Sequence, residues 1–159
     1  MMEKDIETKA EEHMESRMED LGFLYNTFGS PDEWNEETWK IAEDFEITKE
    51  MTEDEIYDSI YTRRSEYGLS FDYVAPGTFN DQKRGYFRYQ ISWGGPSEEI
   101  RFYVDYGKKP YKIEFWFLDW FTGHGIELDG EYLETAEEIF QDFDSMGMVD
   151  HSYDEAMEE

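Results

Sequence analysis

Residues 86–121, YFRYQISWGGPSEEIRFYVDYGKKPYKIEFWFLDWF, leave this chain few folds to choose from. Three runs of strand-type alternation are separated by two turn signals, Gly94-Gly95-Pro96 and Gly107-Lys108-Lys109-Pro110, a pattern that predicts an antiparallel meander. In the first run Phe87, Tyr89, Ile91 and Trp93 share one face, while Arg88, Gln90 and Ser92 take the other. In the second, Ile100, Phe102, Val104 and Tyr106 alternate with Arg101, Tyr103 and Asp105. The third is apolar on both sides, with Ile113, Phe115, Phe117 and Phe121 on one face and Trp116, Leu118 and Trp120 on the other. It is therefore expected to be covered front and back.

The flanking segments have helical period. Residues 2–19 carry a thin apolar stripe, Met2, Ile6, Ala10, Met14 and Met18, which predicts a helix with most of its circumference in water. Gly22 and Gly29 then bracket Phe23, Leu24, Tyr25 and Phe28, a patch suited to anchor that helix. Ser30-Pro31-Asp32-Glu33 reads as a capping box opening a second helix that runs to about Phe45, with Trp34, Thr38, Ile41 and Phe45 inward. Thr52 and Glu55 open a third, stopped by Gly68, with Ile56, Ile60 and Tyr61 inward. Residues 69–74 and 126–128 read as strands, Gly123-His124-Gly125 as a loop, residues 133–143 as a closing helix, and residues 147–159 as a frayed acidic tail. The expected fold is α+β: three acidic N-terminal helices, an antiparallel β-meander sheet of about four or five strands, and one C-terminal acidic helix. One compact domain is expected, in which residues 1–68 form the helical region, 69–146 the sheet and closing helix, and 147–159 the tail.

Charge narrows the function. The formal net charge of −27 is unevenly spread: residues 1–60 hold 20 acids and 5 bases, residues 61–112 hold 6 and 9, and residues 113–159 hold 15 acids and no base. Such a chain repels nucleic acid and anionic lipid, and its self-repulsion opposes the compact state, so a basic protein partner is the simplest reason to keep the charge. With no cysteine, disulfides, thiol nucleophiles and Cys-based metal sites are excluded. No stretch approaches the roughly 18 apolar residues of a membrane span and the amino terminus has no apolar h-region, so the expectation is a cytoplasmic protein without a membrane partner.

Motifs for catalysis are weak. His13, His124 and His151 lie in three separate segments without metal-ligand spacing. Asp142, Asp144 and Gly147 match three calcium-loop positions, but Met146 and Tyr153 stand where two further ligands belong. Among 41 acids any carboxylate pair is uninformative, and no Gly-rich phosphate loop or nucleophile elbow is present. Aromatic residues interleaved with Arg88, Arg101 and Lys112 could form a stacking platform for single-stranded nucleic acid, but in so acidic a chain core aromatics with partnered bases are the better reading. No catalytic residue, metal or cofactor is assigned.

The acidic helices are the candidate site. Ordinary solvated faces mix both signs, whereas here the helical surfaces are nearly single-signed. Carboxylates one turn apart lie about 6 Å apart along a helix, and several such rows approximate a phosphate array. The candidate partner-binding residues are Glu7, Glu11, Glu12, Glu15, Glu19 and Asp20 on the first helix and Glu36, Glu37, Glu43 and Asp44 on the second. Glu134, Glu137, Glu138 and Asp142 on the last form a second surface. The segments 89–99 (YQISWGGPSEE) and 113–121 (IEFWFLDWF) together resemble a motif of small acidic phage and plasmid proteins. The composition is similar to that of DNA-mimic anti-restriction and anti-CRISPR proteins. That resemblance, spanning roughly residues 86–140, implies a mobile-element inhibitor of a host nuclease acting in a bacterial cytoplasm. Its partner would be a basic nucleic-acid-binding protein or nuclease complex, with no direct nucleic-acid contact. The alternative is an acidic chaperone or assembly factor for a basic protein. The aromatic sheet face around Tyr103, Trp116 and Trp120 is left to be covered by helices or by a second copy in a homodimer.

Overall fold

The computed structural model describes residues 5–25 and 30–158. Met2, Phe28 and Gly29, assigned above to a helix stripe and an anchoring patch, lie outside the described residues. The architecture is α+β. Five strands, β1 (Ser70–Val74), β2 (Tyr86–Ser92), β3 (Ser97–Val104), β4 (Pro110–Asp119) and β5 (Thr122–Glu127), form one antiparallel sheet in sequential order. Five helices, α1 (Ile6–Tyr25), α2 (Glu36–Asp44), α3 (Glu53–Tyr67), α4 (Gly130–Ser145) and α5 (Met148–Met157), pack around it.

The register places alternate side chains where periodicity predicts. Phe71, Phe87, Tyr89, Ile100, Phe102, Ile113, Phe115 and Phe117 are buried on one sheet face, together with Ala10, Met18 and Leu21 of α1 and Ala136, Ile139 and Phe140 of α4. Phe140 is the hub of this aromatic layer, with its ring 5.6 Å from Phe87 and 5.1 Å from Phe102.

Several expectations are corrected. α1 runs through Gly22 to Tyr25, because Leu21, Phe23 and Leu24 are fully buried and their packing outweighs the helix propensity lost at one glycine. The second helix does not open at Ser30, whose side chain makes no cap bond; Pro31–Glu33 form a single 3-10 turn. Trp34 stays extended to pack between Phe23 and Trp39, and Asn35 caps α2 by accepting from the Thr38 amide at 2.9 Å. The Thr52–Glu55 capping box of α3 forms as expected, but Tyr61 points outward and is 71% exposed.

Residues 147–159 are not a frayed tail through most of their length: α5 follows the Met146–Gly147 turn, buries Val149, and sets Tyr153 4.9 Å from Tyr73 of β1. Gly123-His124-Gly125 belongs to β5, not to a loop, because Trp116 lies over Gly125 so closely that a Cβ there would fall 2.3 Å from its ring. Trp93, Tyr106, Trp120 and Phe121 are exposed, the last two because β4 ends at Asp119 and Trp120 turns the chain with φ +55°. Among the described residues, no further layer closes the outer face of β4, where Trp116 and Leu118 remain half-buried. Among the described residues, no helix is long and apolar enough to cross a membrane.

Candidate partner-binding face

Helix packing gathers carboxylates that are distant in sequence. Glu7, Glu11, Glu12, Glu15 and Glu19 are exposed on α1, Glu36, Glu37, Glu43 and Asp44 on α2, and Glu134, Glu137 and Glu138 on α4. One groove of about 820 Å³ takes in Glu19 from α1, Glu37 from α2, and Glu131 and Glu134 from α4. Met18 and Ile41 also line it, and Lys40 is the one cation among its described lining residues. Tyr132, which shares the groove, has its phenol pKa raised first by burial and then by Glu19, Glu15 and Glu131. Carboxylates of α1 and α4 thus act together on one phenol.

Of the fourteen candidates, Glu19, Glu37 and Glu134 are among the groove's described lining residues; the others are not, and two of those are not on exposed faces either. Asp20 is half-buried and accepts from the Tyr67 hydroxyl at 2.8 Å; burial raises its pKa, the Tyr67 bond and Arg17 oppose the rise, and Asp44 adds to it. Asp142 is half-buried at the wall of a different cavity, beside Tyr25 and Arg64, and its backbone carbonyl accepts from the Met146 amide. Neither belongs to the groove.

The helix ends carry the charge against local preference. The last turns of α2 and α4 contain no base, and Glu43, Asp44 and Asp142 lie there, at the negative end of each macrodipole. Each such residue costs about 0.3–1 kcal/mol of helix stability at an exposed position.

The sheet face turned away from the core holds its cations in pairs. Arg88 is bound to Asp72 at 2.7 Å, Arg101 to Glu99 at 2.7 Å, and Lys112 lies 3.7 Å from Glu114. Arg101 also lies 4.1 Å from the Trp116 ring centroid and 4.8 Å from that of Tyr86. These cations are committed within the sheet, which removes the basis for a phosphate-binding platform there. His124 faces Phe117 across the β4–β5 ladder, and among the described residues no cluster of three His, Asp or Glu side chains is placed to hold a metal ion.

One polar centre escaped the sequence reading. Glu98 is 2% exposed on the core face, where it accepts from His13 Nδ1 at 2.9 Å, from Arg17 Nη2 at 2.8 Å and Nε at 3.1 Å, and from Ser92 Oγ at 2.8 Å. The signal was available: Glu98 shares the parity of Ile100 and Phe102, and His13 and Arg17 flank the apolar stripe of α1.

Fold and site together define an α+β protein with an antiparallel meander at its centre and a groove between three of its helices whose described lining holds four glutamates and one lysine. No family model matches the chain, and neither a curated protein nor a solved structure matches it.

Proposed function

We propose that this chain is a non-enzymatic inhibitor, encoded by a mobile element, that binds the basic nucleic-acid site of a host defence nuclease as a mimic of DNA. The target would be a CRISPR effector or a restriction enzyme. The observation that carries the reading is the convergence of Glu19, Glu37 and Glu134 from three helices on one groove with a single cation among its described lining residues. Rows of carboxylates along α1, α2 and α4 offer a basic cleft a charge array of the kind duplex DNA offers, and binding would release counterions from the cleft as DNA does. Acidic residues at helix ends that would be more stable without them support a role outside folding.

The test is capture from nuclease-treated bacterial lysate with the full chain and with a Glu15→Lys/Glu19→Lys/Glu37→Lys/Glu134→Lys variant. A nuclease or nucleoprotein that is held by the wild type, released by excess duplex DNA and by salt, and lost by the variant supports the reading. Retention through both treatments, or by the variant, overturns it. Weak binding of many unrelated basic proteins would instead favour the acidic chaperone.

A further inference from the structure

The sheet has two edges, β1 and β5, and the fold treats them differently. Along β1 lies α5, which buries Val149 and brings the Ser152 hydroxyl to the Phe71 carbonyl at 3.5 Å. At β5 the register fixes which backbone groups are left over. The Leu128 amide donates to the Ile113 carbonyl at 2.9 Å, so by the alternation of an antiparallel ladder Ile126, His124 and Thr122 turn their backbone groups to β4. Gly123, Gly125 and Glu127 turn theirs outward, and none of these amides or carbonyls has a hydrogen-bond partner among the described residues.

Sheets commonly blunt such an edge with lysine, proline, a bulge or a covering element. β5, TGHGIE, contains neither lysine nor proline. Its ladder with β4 runs without a register shift, whereas the β2–β3 and β3–β4 ladders each have one. Trp116 and Leu118, half-buried on the outer face, lie so close over Gly125 and Gly123 that a Cβ would fall 2.3 Å and 2.7 Å from them. Lying over the last strand, these apolar groups adjoin the place a sixth strand would take.

Charge selects the occupant. Glu127 and Asp129 are exposed at one end of the edge, Asp119 stands at the other, and residues 113–159 hold no lysine or arginine. A second copy would bring another −27 to the same edge, whereas a basic strand would bring the opposite sign.

We propose that β5 is a docking edge that takes an extended basic segment of a partner protein as a sixth strand, paired through the backbone groups of Gly123, Gly125 and Glu127. The contact lies outside the acidic groove and does not rest on its role.

The test is residue-resolved amide hydrogen exchange, by NMR, of the full chain with a capped heptapeptide alternating lysine and valine, at about 0.15 M salt. Saturating peptide should slow exchange at the Gly123, Gly125 and Glu127 amides at least about tenfold. Any basic peptide is drawn to the acidic helices, but only a paired strand protects these three amides. The same peptide N-methylated at every residue keeps the charge and loses the donors, and a glutamate–valine heptapeptide keeps the donors and reverses the charge. Neither should protect. Glu127→Pro replaces an outward amide of an edge strand, so it should keep the circular dichroism of the fold and weaken the lysine peptide at least about tenfold, against at most about threefold for Glu127→Gln. No binding, binding without protection of the three amides, protection by either control peptide, or equal affinity for a folded Glu127→Pro overturns the proposal. Protection already present in the free chain overturns it as well: a second copy holds the edge if that protection rises with concentration, and the chain itself if it does not.

Discussion

Arg17 Nη2 lies 2.8 Å from Glu98 Oε1, with Arg17 Nε within 3.2 Å of both carboxylate oxygens, so the guanidinium clasps the most deeply buried acid of the core face side-on. This pair joins α1 to β3 across 81 residues of sequence, and Tyr67, which Arg17 also reaches at 3.3 Å, brings in α3. Removing Arg17 leaves the buried Glu98 carboxylate without its guanidinium, held only by His13 and Ser92. Arg17→Met should therefore destabilise the fold by about 3 kcal/mol, the lower end of the range for breaking a buried ion pair. A double variant, Arg17→Met with Glu98→Met, should recover most of that loss, and urea unfolding of the two decides it.

The same carboxylate gives the fold an acid limit. Burial alone would raise the pKa of Glu98, but the hydrogen bonds from Arg17, His13 and Ser92 outweigh it and hold the group below the ordinary value of 4.5. A depressed folded-state pKa contributes stability above the unfolded value and loses it as pH falls through the folded one. Asp20, raised above 3.8 by burial, acts with the opposite sign: its contribution is present at low pH and lost as pH rises. Relief of self-repulsion also favours the fold as carboxylates protonate. Thermal midpoints should rise on moderate acidification and then fall once Glu98 protonates. Glu98→Gln should lie well below wild type near about pH 7 and converge with it only as pH falls through the folded-state pKa of Glu98, which lies below 4.5. A constant gap across the range would refute this assignment.

How much could be read in advance depended on whether local patterns competed with tertiary packing. The meander was legible because alternation in residues 86–118 and the Gly-Pro turns agree with each other. The Thr52–Glu55 box was legible because its two reciprocal bonds are local. Ser30 misled because Trp34 gains more from the Phe23 and Trp39 rings than the backbone gains from one continuous helix. α5 was hidden by composition, its apolar contacts being few and spread among acids, so that only the presence of β1 shows what Val149 and Tyr153 are for. For the site, the acids could be placed on exposed helix faces, but the inward turn of Asp20 and Asp142 depends on Tyr67 and on the cavity beside Tyr25.

Deleting residues 147–159 separates a helix from a tail by the sign of its effect. The segment carries five acids and no Lys or Arg, so as a mere tail its loss would relieve repulsion and stabilise the protein. As α5 it covers Phe71 and Tyr73 with Val149, Ser152 and Tyr153. The truncation should lower stability by about 3 kcal/mol, the order expected for uncovering one or two buried side chains. It should also raise hydrogen exchange in β1. An unchanged or higher thermal midpoint would return the segment to the status of a tail.

The acids that end α2 allow binding and folding to be set against each other. Glu43 and Asp44 lie in a last turn without a base, and Asp44 further raises the pKa of Asp20 on α1, an electrostatic conflict within the folded state. Replacing both with lysine reverses the interaction with the macrodipole and removes the like-charge contact. Glu43→Lys/Asp44→Lys should therefore raise the unfolding free energy by about 0.5–2 kcal/mol. If α2 is part of a surface that docks in a basic cleft, the same variant should bind the captured partner at least about tenfold more weakly, because two attractive charges become repulsive ones there. Higher stability with weaker binding is the pattern of residues kept for a partner at the expense of the fold. Higher stability with unchanged binding would place the interface elsewhere, on the α1 and α4 sides of the groove around Glu19 and Glu134.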